Sequence, residues 1–396
     1  MPMFKVRTYN QIALEGLERL PRNRFEVGTE LADPDGILLR SHVLAPEDAT
    51  PRLRAVARAG AGVNNIPVDA FTEQGIVVFN TPGANANSVK EIVVAGLLLA
   101  CRDLAGALAF TQALPADLDE HALHAQVEGE KKRFAGRELA GKTLGVVGLG
   151  AIGARVADIA LQLGMSVLGY DPAISVDAAW RLPREVQRME NLASLLARSD
   201  FVTLHVPALP ATRGLINREA LAQLRPGSVL LNFARGPIVE PEAVAEALKA
   251  GHLARYVADF PETALLGLPG ALLLPHLGAS TEEAETHCAV MAAEQLKDFL
   301  EHGNVRNSVN FPPVVLEHAA GTRLAVINEN RPNRLGPALS VLAEHNLNVI
   351  DMLNKSRDAV AYNLIDVEGT VTETVLAALR QVEGVLKVYH FGEDAR

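Results

Sequence analysis

Residues 142–171 have the sequence KTLGVVGLGAIGARVADIALQLGMSVLGYD. Lys142 to Val147 predicts a buried strand, and a second apolar strand runs from Met165 to Tyr170. Between the strands, apolar residues recur at helical spacing, namely Ile152, Val156, Ile159, Ala160 and Leu163. The stretch therefore predicts a strand, a glycine turn, a helix and a second parallel strand.

The turn carries Gly148, Gly150 and Gly153 in the order GxGxxG. In a dinucleotide-binding turn the first glycine permits the tight bend, the second lets the main chain approach a pyrophosphate, and the third lets helix and strand pack closely. The helix would begin at Ala151 and Ile152, with its amino end facing the negative charge. The pattern indicates a dinucleotide site.

Asp171 closes the second strand 18 residues after Gly153. A carboxylate at this position hydrogen-bonds the ribose hydroxyls and repels a 2′-phosphate, which favours NAD over NADP. The alternative is that the glycines only form a tight turn and that Asp171 is a solvated strand end.

The bulk composition limits the classes of function. A chain of 396 residues, 48% of them hydrophobic, is long enough for two or three domains. The net charge of −10 predicts no surface for nucleic acid or anionic lipid, so the expected partner is a small molecule. Cys101 and Cys288 are far apart and lack metal-ligand spacing, which predicts reduced thiols and no metal site.

The amino terminus shows no secretory signal pattern, and the longest apolar run, Ile92 to Cys101, is about half of a membrane span. We therefore expect a soluble, cytoplasmic protein that does not contact a membrane.

The order of the predicted elements divides the chain into three α/β domains. Residues 1–90 and 281–308 predict one doubly wound parallel-sheet (Rossmann-like or flavodoxin-like) domain, and residues 91–280 predict a second one of Rossmann type. Residues 309–321 predict a linker, and residues 322–396 predict a ferredoxin-like βαββαβ domain. We read residues 111–140 as a polar connection.

Several strands of the central domain end at polar residues, which are His205, Asn232 to Arg235, Asp259 and His276. Ligands of open α/β sheets bind beyond the carboxyl ends of the strands. We therefore expect these side chains to converge near the cofactor.

Several motifs occur in order along nearly the whole chain. They are Arg58-Ala-Gly-Ala-Gly62-Val-Asn-Asn65, Asn80-Thr-Pro with Ser88-Val-Lys-Glu91, the glycine loop, His205-Val-Pro207, Thr212-Arg-Gly-Leu-Ile-Asn217, Asn232-Phe-Ala-Arg-Gly236 and Pro275-His-Leu-Gly-Ala-Ser-Thr281. On these motifs the chain resembles the D-isomer-specific 2-hydroxyacid dehydrogenases, and among them the members that oxidise 3-phospho-D-glycerate and carry a C-terminal ACT domain.

The resemblance implies three catalytic residues. His276 would take the hydroxyl proton, Arg235 would hold the substrate carboxylate and polarise the forming carbonyl, and Glu262 would be the acidic partner of the histidine. The loop between Glu262 and His276 is shorter than in the family. The alternatives are a capping histidine, a surface salt bridge of Arg235 and a solvated loop glutamate.

The resemblance also implies the binding residues. Arg40 and Ser41 would hold the substrate phosphate, with His42 where a second arginine often stands, and Gly62 and Asn85 would contact the carboxylate. An ordinary polar strand end and plain turn residues are the alternatives. Beside the glycine loop and Asp171, the cofactor contacts would be His205, Pro207, Thr212, Phe233, Ala234, Asp259, Gly278 and Ala279.

The C-terminal domain, by resemblance to ACT domains, would pair edge to edge and bind an amino acid, usually L-serine, through Asn328, Asn330 and Asn348. The histidine common at position 328 is absent, and the usual Pro-Gly turn reads Pro332-Asn333. Asparagine reaches positive φ, so we expect the turn to survive. A purely structural role in dimerisation is the alternative. A homo-oligomer, dimer or tetramer, is expected through these edges and the helices around Glu91 to Leu104.

The resemblance predicts NAD-dependent oxidation of 3-phospho-D-glycerate to 3-phosphohydroxypyruvate, the first step of L-serine biosynthesis. Two alternatives stay open. One is a reductase of another small 2-keto acid such as glyoxylate or hydroxypyruvate, and the other is a non-catalytic NAD(H)-sensing protein.

Overall fold

A computed structural model describes residues 3–317 and 321–391, apart from the side chain of residue 177. The chain divides into two compact units. The first unit contains the residues up to Asn85 together with those from Glu282 onward, and the second runs from Ala86 to Thr281.

The strands and helices follow one another along the described residues in this order: β1 Phe4–Thr8, α1 Leu14–Leu17, β2 Phe25–Gly28, β3 Gly36–Leu39, β4 Ala55–Arg58, α2 Val68–Glu73, β5 Val77–Phe79, α3 Ala86–Cys101, α4 Leu104–Gln112, α5 Glu120–Glu130, β6 Thr143–Val147, α6 Ala151–Gln162, β7 Ser166–Tyr170, α7 Val176–Ala179, β8 Gln187–Arg188, α8 Leu192–Arg198, β9 Phe201–Leu204, α9 Arg218–Ala222, β10 Ser228–Asn232, α10 Pro241–Lys249, β11 Leu253–Ala258, β12 Ala271–Leu273, α11 Glu282–His302, β13 Thr322–Glu329, α12 Leu335–Glu344, β14 Asn348–Arg357, β15 Val360–Glu368, α13 Glu373–Arg380 and β16 Val385–Phe391.

The first unit contains a five-stranded parallel sheet in the order β2-β1-β3-β4-β5. Strands β3, β4 and β5 are almost continuously apolar and buried, as expected for a parallel sheet covered on both faces. Helix α11 packs on this sheet through Leu296, Phe299 and Leu300. The sequence analysis did not predict β2, because this short edge strand has Phe25 as its one fully buried residue.

The second unit contains a seven-stranded parallel sheet in the order β12-β11-β10-β9-β6-β7-β8. The strand order reverses direction next to β6, so that β9 and β7 flank it. Such a reversal opens a crevice at the carboxyl ends of the strands. The two doubly wound sheets confirm the predicted α/β class.

Residues 111–140, which we predicted as a polar connection, contain the end of α4 at Gln112 and the whole of α5, Glu120–Glu130. Asp103 and Asp119 begin α4 and α5, since their carboxylates accept hydrogen bonds from the backbone N–H groups of Gly106 and Ala122. Neither helix has a buried residue within this chain, so the sequence shows no apolar stripe that would have revealed them.

The C-terminal part of the first unit is an antiparallel sheet in the order β14-β15-β13-β16, with α12 and α13 as its helices. This confirms the predicted βαββαβ order. The sheet contacts the rest of its unit: the hydroxyl of Tyr389 on β16 donates a hydrogen bond to the carbonyl of Gly75 at 2.9 Å. Asn333 has φ +62°, so the Pro332-Asn333 turn forms with asparagine in the position usually taken by glycine, as we expected.

Within the described residues of the predicted linker, 309–317 and 321, several side chains are packed against the protein, although Pro313, Val315 and Glu317 are exposed. Phe311 and Val314 are fully buried, and Val314 forms an isolated β-bridge with Val305. The side chain of Asn310 bonds the backbone of Ile76 and Val78. These apolar and amide side chains make the segment part of the core. Residues 318–320 of the predicted linker lie outside the described residues.

Among the described residues, no single helix is long and apolar enough to cross a membrane. Helices α3 and α4 reach the required length and composition only when counted as one, and they are bent by 74° relative to each other.

Candidate active site

Each glycine of the 148–153 loop has the geometry that its predicted role requires. Gly148 has φ +90°, and a Cβ on it would lie 2.8 Å from the backbone of His205. A Cβ on Gly153 would lie 1.9 Å from the carbonyl oxygen of Gly148, so only glycine permits α6 to pack this close. A Cβ on Gly150 would meet nothing within 4 Å. The space beside Gly150, at the amino end of α6, is therefore where a pyrophosphate fits.

Asp171 is tied to the glycine loop. Its carboxylate accepts hydrogen bonds from the backbone N–H of Leu149 at 2.8 Å and of Ala173 at 2.9 Å. Because β7 ends at Tyr170, Asp171 stands at the carboxyl end of that strand next to the loop. This is the position from which a carboxylate reaches the ribose of a dinucleotide.

His205 follows β9 and carries a buried nitrogen that has no partner within the chain. Nε2 lies 3.0 Å from the hydroxyl of Thr203, whereas buried Nδ1 has no hydrogen bond. Burial lowers the pKa of His205 to about 3, so the imidazole is neutral at physiological pH. An orphaned buried polar atom next to the glycine loop fits a ligand that would supply the missing hydrogen bond.

Gly150→Ala should weaken NAD binding by at least about 10-fold without changing thermal stability, because the added methyl group enters the space left for pyrophosphate. The backbone of Gly150, at φ −69°, suits alanine. Fluorescence titration with NADH and thermal melting measure the two quantities. Gly129→Ala is the matched control, since its methyl group also meets nothing within 4 Å. Unchanged NADH affinity of Gly150→Ala would contradict this assignment.

The turn after β12 holds His276 in an unusual conformation. His276 has φ +58°, which few non-glycine residues adopt, and its side chain is exposed. Buried Asp259 holds this turn, because its two carboxylate oxygens accept the backbone N–H groups of Leu277 and Gly278, each at 2.7 Å. The hydroxyl of Ser88 donates to the carbonyl of Gly278 at 2.9 Å. The turn is therefore built to present the imidazole outward.

Arg235 and Glu262 lie close to Gly236, which follows β10. A Cβ on Gly236 would be 3.0 Å from Oε1 of Glu262 and 3.7 Å from Phe260, and the ring of Phe260 lies 4.9 Å from that of His276. Glu262 and His276 are not hydrogen-bonded to each other in the part of the chain that the structure describes. The three predicted catalytic residues thus surround one small region of the second unit.

The guanidinium of Arg235 is available for an anion. More than a third of the residue is open to solvent, yet neighbouring protein atoms still lower its pKa through desolvation. Its Nη1 donates to the carbonyl of Ala234 at 2.6 Å. No carboxylate forms an ion pair with Arg235 among the described contacts, so the alternative interpretation, a surface salt bridge, has no support there.

The remaining predicted cofactor residues also follow strands of the second unit. Phe233 and Ala234 are buried directly after β10, whereas Pro207 is exposed after β9. Thr212 stabilises the loop that contains Pro207. Its hydroxyl donates to the backbone carbonyl of Pro207 and accepts a hydrogen bond from the backbone N–H of Leu209. Gly278 and Ala279 belong to the turn held by Asp259.

In the first unit, Arg40 and Ser41 follow β3. Nη2 of Arg40 pairs with Glu285 on α11 at 2.6 Å, and about 40% of the Arg40 side chain is exposed. The side-chain oxygen of Asn10, at φ +66°, accepts the backbone N–H groups of Ser41 and His42. The ring of His42 stacks on Tyr9 with centroids 4.0 Å apart. The loop is therefore fixed while its arginine faces solvent.

Arg58 is a further cation that the sequence analysis did not select. It ends β4, and its Nε donates to the carbonyl of Arg40 at 3.0 Å. Burial raises the pKa of the Cys288 thiol, and the positive charges of Arg58 and Arg40 oppose that rise. The position of Arg58 at a strand end, in the motif that leads to Gly62, was the signal that could have identified it.

Gly62 and Asn85 lie in the loops after β4 and β5, where both are half-buried. The buried side-chain oxygen of Asn85 has no hydrogen-bond partner. An unpartnered amide oxygen of this kind is suited to a bound polar ligand.

The three predicted effector residues differ in accessibility. Asn328 is buried, donates to the carbonyl of Glu329 and accepts from the amide of Asn363 at 2.6 Å. Asn330 is exposed and donates to the carbonyl of Asp358, and exposed Asn348 lies 3.4 Å from Glu368. Asn330 and Asn348 are therefore the accessible members of the set.

The chain is similar to several known proteins. The model of the D-isomer specific 2-hydroxyacid dehydrogenase NAD-binding domain matches residues 107–278. D-3-phosphoglycerate dehydrogenase of Haemophilus influenzae is 33% identical over 365 residues, which are 89% of this chain and 85% of that protein. The enzyme of the same name from Methanocaldococcus jannaschii is 37% identical over 301 residues, 74% of this chain and 55% of that protein, so the alignment spans about half of its length.

Among solved structures, an NAD⁺-bound 3-phosphoglycerate dehydrogenase from Entamoeba histolytica is 26% identical, with a TM-score of 0.62, and the match covers 78% of this chain and 99% of that one. The second unit thus holds an NAD-binding domain, which confirms the predicted cofactor. The glycine loop and these relatives agree that the chain belongs to the D-isomer specific 2-hydroxyacid dehydrogenase family, the NAD-dependent oxidoreductases of 2-hydroxy acids.

Proposed function

We propose that the chain oxidises 3-phospho-D-glycerate to 3-phosphohydroxypyruvate with NAD, the entry reaction of L-serine biosynthesis. The relatives named D-3-phosphoglycerate dehydrogenase support this substrate. The observation that carries the proposal is the pair of arginines at the carboxyl ends of β3 and β4, where Arg58 donates to the carbonyl of Arg40. Two guanidinium groups and the hydroxyl of Ser41 offer the charge and donors that a phosphate requires.

NAD, when bound, supplies the nicotinamide carbon that accepts a hydride from C2 of the substrate. An imidazole nitrogen of His276 takes the hydroxyl proton as the C2 carbonyl forms. Arg235 holds the substrate carboxylate through its guanidinium fork and stabilises the developing carbonyl oxygen. The outward presentation of His276 by the Asp259 turn supports the first role, and the absence of an ion pair at Arg235 among the described contacts supports the second.

Glu262 is the proposed acidic partner of His276. Its carboxylate lies against Gly236, and Phe260 links this region to the imidazole ring. Catalytic hydrogen bonds are often long in ligand-free enzymes and tighten in the substrate complex. Glu262 would then favour the protonated imidazole after the proton has been transferred.

The roles of the parts of the chain follow from this assignment. The parallel-sheet part of the first unit would bind substrate, and the C-terminal sheet would be an ACT domain whose effector, L-serine, contacts Asn330 and Asn348. Strand β14 supports a homo-oligomer, because this ten-residue edge strand is largely exposed and carries exposed Val349 and Ile350. Pairing of two such edges would cover it.

Arg40→Ala tests whether the substrate carries a phosphate group that Arg40 binds. We expect kcat/KM for reduction of 3-phosphohydroxypyruvate to fall by about 10- to 150-fold, the equivalent of a charged hydrogen bond of ~1.5–3 kcal/mol. Reduction of hydroxypyruvate, which lacks the phosphate, should change by less than about 3-fold. Steady-state assays of NADH consumption measure both.

Arg19→Ala is the matched control, because Arg19 also pairs with a glutamate of α11, Glu294, at 3.4 Å. An unchanged ratio between the two substrates in Arg40→Ala would favour a reductase of small 2-keto acids. One observation favours that alternative. His42 stands where a second phosphate-binding arginine often occurs, and its ring stacks on Tyr9 instead. Absence of turnover with every 2-hydroxy acid would instead favour an NAD(H)-sensing protein.

A further inference from the structure

A pocket of about 650 Å³ lies within the first unit at the amino ends of β3 and β4. Asp35 directly precedes β3 and Arg54 directly precedes β4. The opposite wall comes from the C-terminal sheet, through Lys387 and Tyr389 of β16 and through Arg380 at the end of α13. The pocket is thus lined by both parts of the unit.

The lining of this pocket is strongly cationic. The lining contains four cations, Arg52, Arg54, Arg380 and Lys387, and one carboxylate, Asp35, while Arg380 also pairs with Glu373 beside the pocket. Asp35 is already bonded, since it is buried, accepts two hydrogen bonds from Arg52 at 2.9 and 3.1 Å and also accepts the N–H of Lys5. With Arg52 and Arg380 each paired to a carboxylate, the excess positive charge is that of Arg54 and Lys387, in a chain whose net charge is −10.

Arg54 and Lys387 lack a carboxylate partner among the described contacts. The guanidinium of Arg54 lies 5.8 Å from the ring of Tyr389 and 6.0 Å from that of Phe4. Nζ of Lys387 lies 5.9 Å from the Tyr389 ring and 3.4 Å from the carbonyl of Pro51. Aromatic faces and one carbonyl compensate only part of the charge of two neighbouring cations.

Desolvation acts on both of these cations. Burial lowers the pKa of Arg54 and that of Lys387, and the positive charge of Arg54 lowers the pKa of Lys387 further. Holding like charges together in a partly dry pocket is unfavourable unless an anion neutralises them.

We propose that this pocket binds a small multivalent oxyanion, that is, a phosphate group. It differs from the proposed substrate site, because Arg40 and Arg58 stand at the carboxyl ends of β3 and β4 whereas Asp35 and Arg54 stand at their amino ends. Four residues of extended strand separate the two ends by about 13 Å. A phosphate held by Arg54, Arg380 and Lys387 would join β16 to the strands that carry the substrate arginines.

Equilibrium dialysis with radiolabelled inorganic phosphate tests the proposal, at an ionic strength kept constant with sodium chloride. The protein carries Arg40→Ala, which removes phosphate binding at the proposed substrate site. We expect one phosphate per chain in this background and two per chain in the parent protein. If the substrate proposal alone fails, Arg40→Ala binds as much phosphate as the parent and the pocket variants still lose one site.

Lys387→Gln, added to this background, should weaken phosphate binding by at least about 10-fold, as expected for the loss of a charged hydrogen bond. Arg380→Gln should also weaken binding, and because Arg380 is exposed this variant should fold normally. Lys355→Gln is the matched control, since Lys355 is an exposed lysine of β14 in the same sheet and the change in charge is identical. Thermal melting verifies that each variant is folded.

Competition with glycerol 3-phosphate distinguishes the source of the phosphate group. Tighter binding than that of inorganic phosphate supports a phosphate ester as the ligand, and weaker binding supports free phosphate. The proposal is overturned if the Arg40→Ala protein binds no phosphate, or if Lys387→Gln and Arg380→Gln bind it as tightly as Lys355→Gln does.

Discussion

His276→Asn should lower kcat for oxidation of 3-phospho-D-glycerate by about 10²- to 10⁴-fold and leave NADH affinity unchanged, because it removes the proposed general base. Asparagine is the informative substitution. His276 has φ +58°, a conformation that asparagine tolerates and alanine does not favour. Asp259 holds the turn through the backbone N–H groups of Leu277 and Gly278, so the turn does not depend on the imidazole.

Steady-state kinetics give kcat, and fluorescence titration gives the affinity for NADH. His124→Asn, at an exposed position of α5 in the same unit, is the control and should match the parent in both measurements. Turnover of His276→Asn within a few-fold of the parent would show that another group accepts the proton. A parallel loss of NADH affinity would instead show that the turn itself has changed.

The glycine loop was predictable from sequence because its requirements are local. A positive φ at Gly148, open space at Gly150 and close packing at Gly153 each involve neighbours within one strand-turn-helix unit. The strand ends that carry Asp171, His205 and Arg235 were predictable for a related reason, since parallel strands bring their carboxyl ends to one edge.

The conformation of His276 was not predictable, because its cause is distant in the chain. Asp259 reaches over 18 residues to fix the turn, and no local pattern reveals that contact. The pairing of Arg40 with Glu285 likewise joins a residue that follows β3 to a residue of α11, and only the fold brings them together. Asn328 was predicted to contact an effector, whereas its buried side chain accepts a hydrogen bond from Asn363 on the adjacent strand β15.

Helices α4 and α5 show a different limit. Sequence reasoning finds a helix by its buried stripe, and these two helices bury no residue within the chain. The packed segment from Val305 to Val314 shows the opposite limit, because its asparagines and prolines are typical of a connection while its apolar residues fill the core.

The second large effect concerns stability, and it arises at Arg323 on β13. Its guanidinium forms a bidentate pair with Asp366 on β15, with Nε and Nη2 donating at 2.7 and 2.8 Å. Both side chains are almost completely buried, with 2% and 0% exposure. Nη1 also donates to the carbonyls of His302, at the end of α11, and of Leu316. One side chain thus connects the C-terminal sheet to the rest of its unit.

Arg323→Met should lower the free energy of unfolding by about 3–5 kcal/mol, because the carboxylate of Asp366 would stay buried after its arginine has been removed. Urea unfolding followed by circular dichroism measures the change. Arg380→Met is the control for an exposed pair, since Arg380 bonds Glu373 at the surface, and it should cost less than about 1 kcal/mol.

The double variant Arg323→Met/Asp366→Leu separates the ion pair from the packing of the arginine. Removal of both charges should recover much of the lost stability, since well-packed apolar residues often replace a buried ion pair without loss. Recovery should remain incomplete, because the carbonyls of His302 and Leu316 still lack their donor. A double variant no more stable than Arg323→Met would show that these two carbonyl contacts, and not the buried charge, account for the effect.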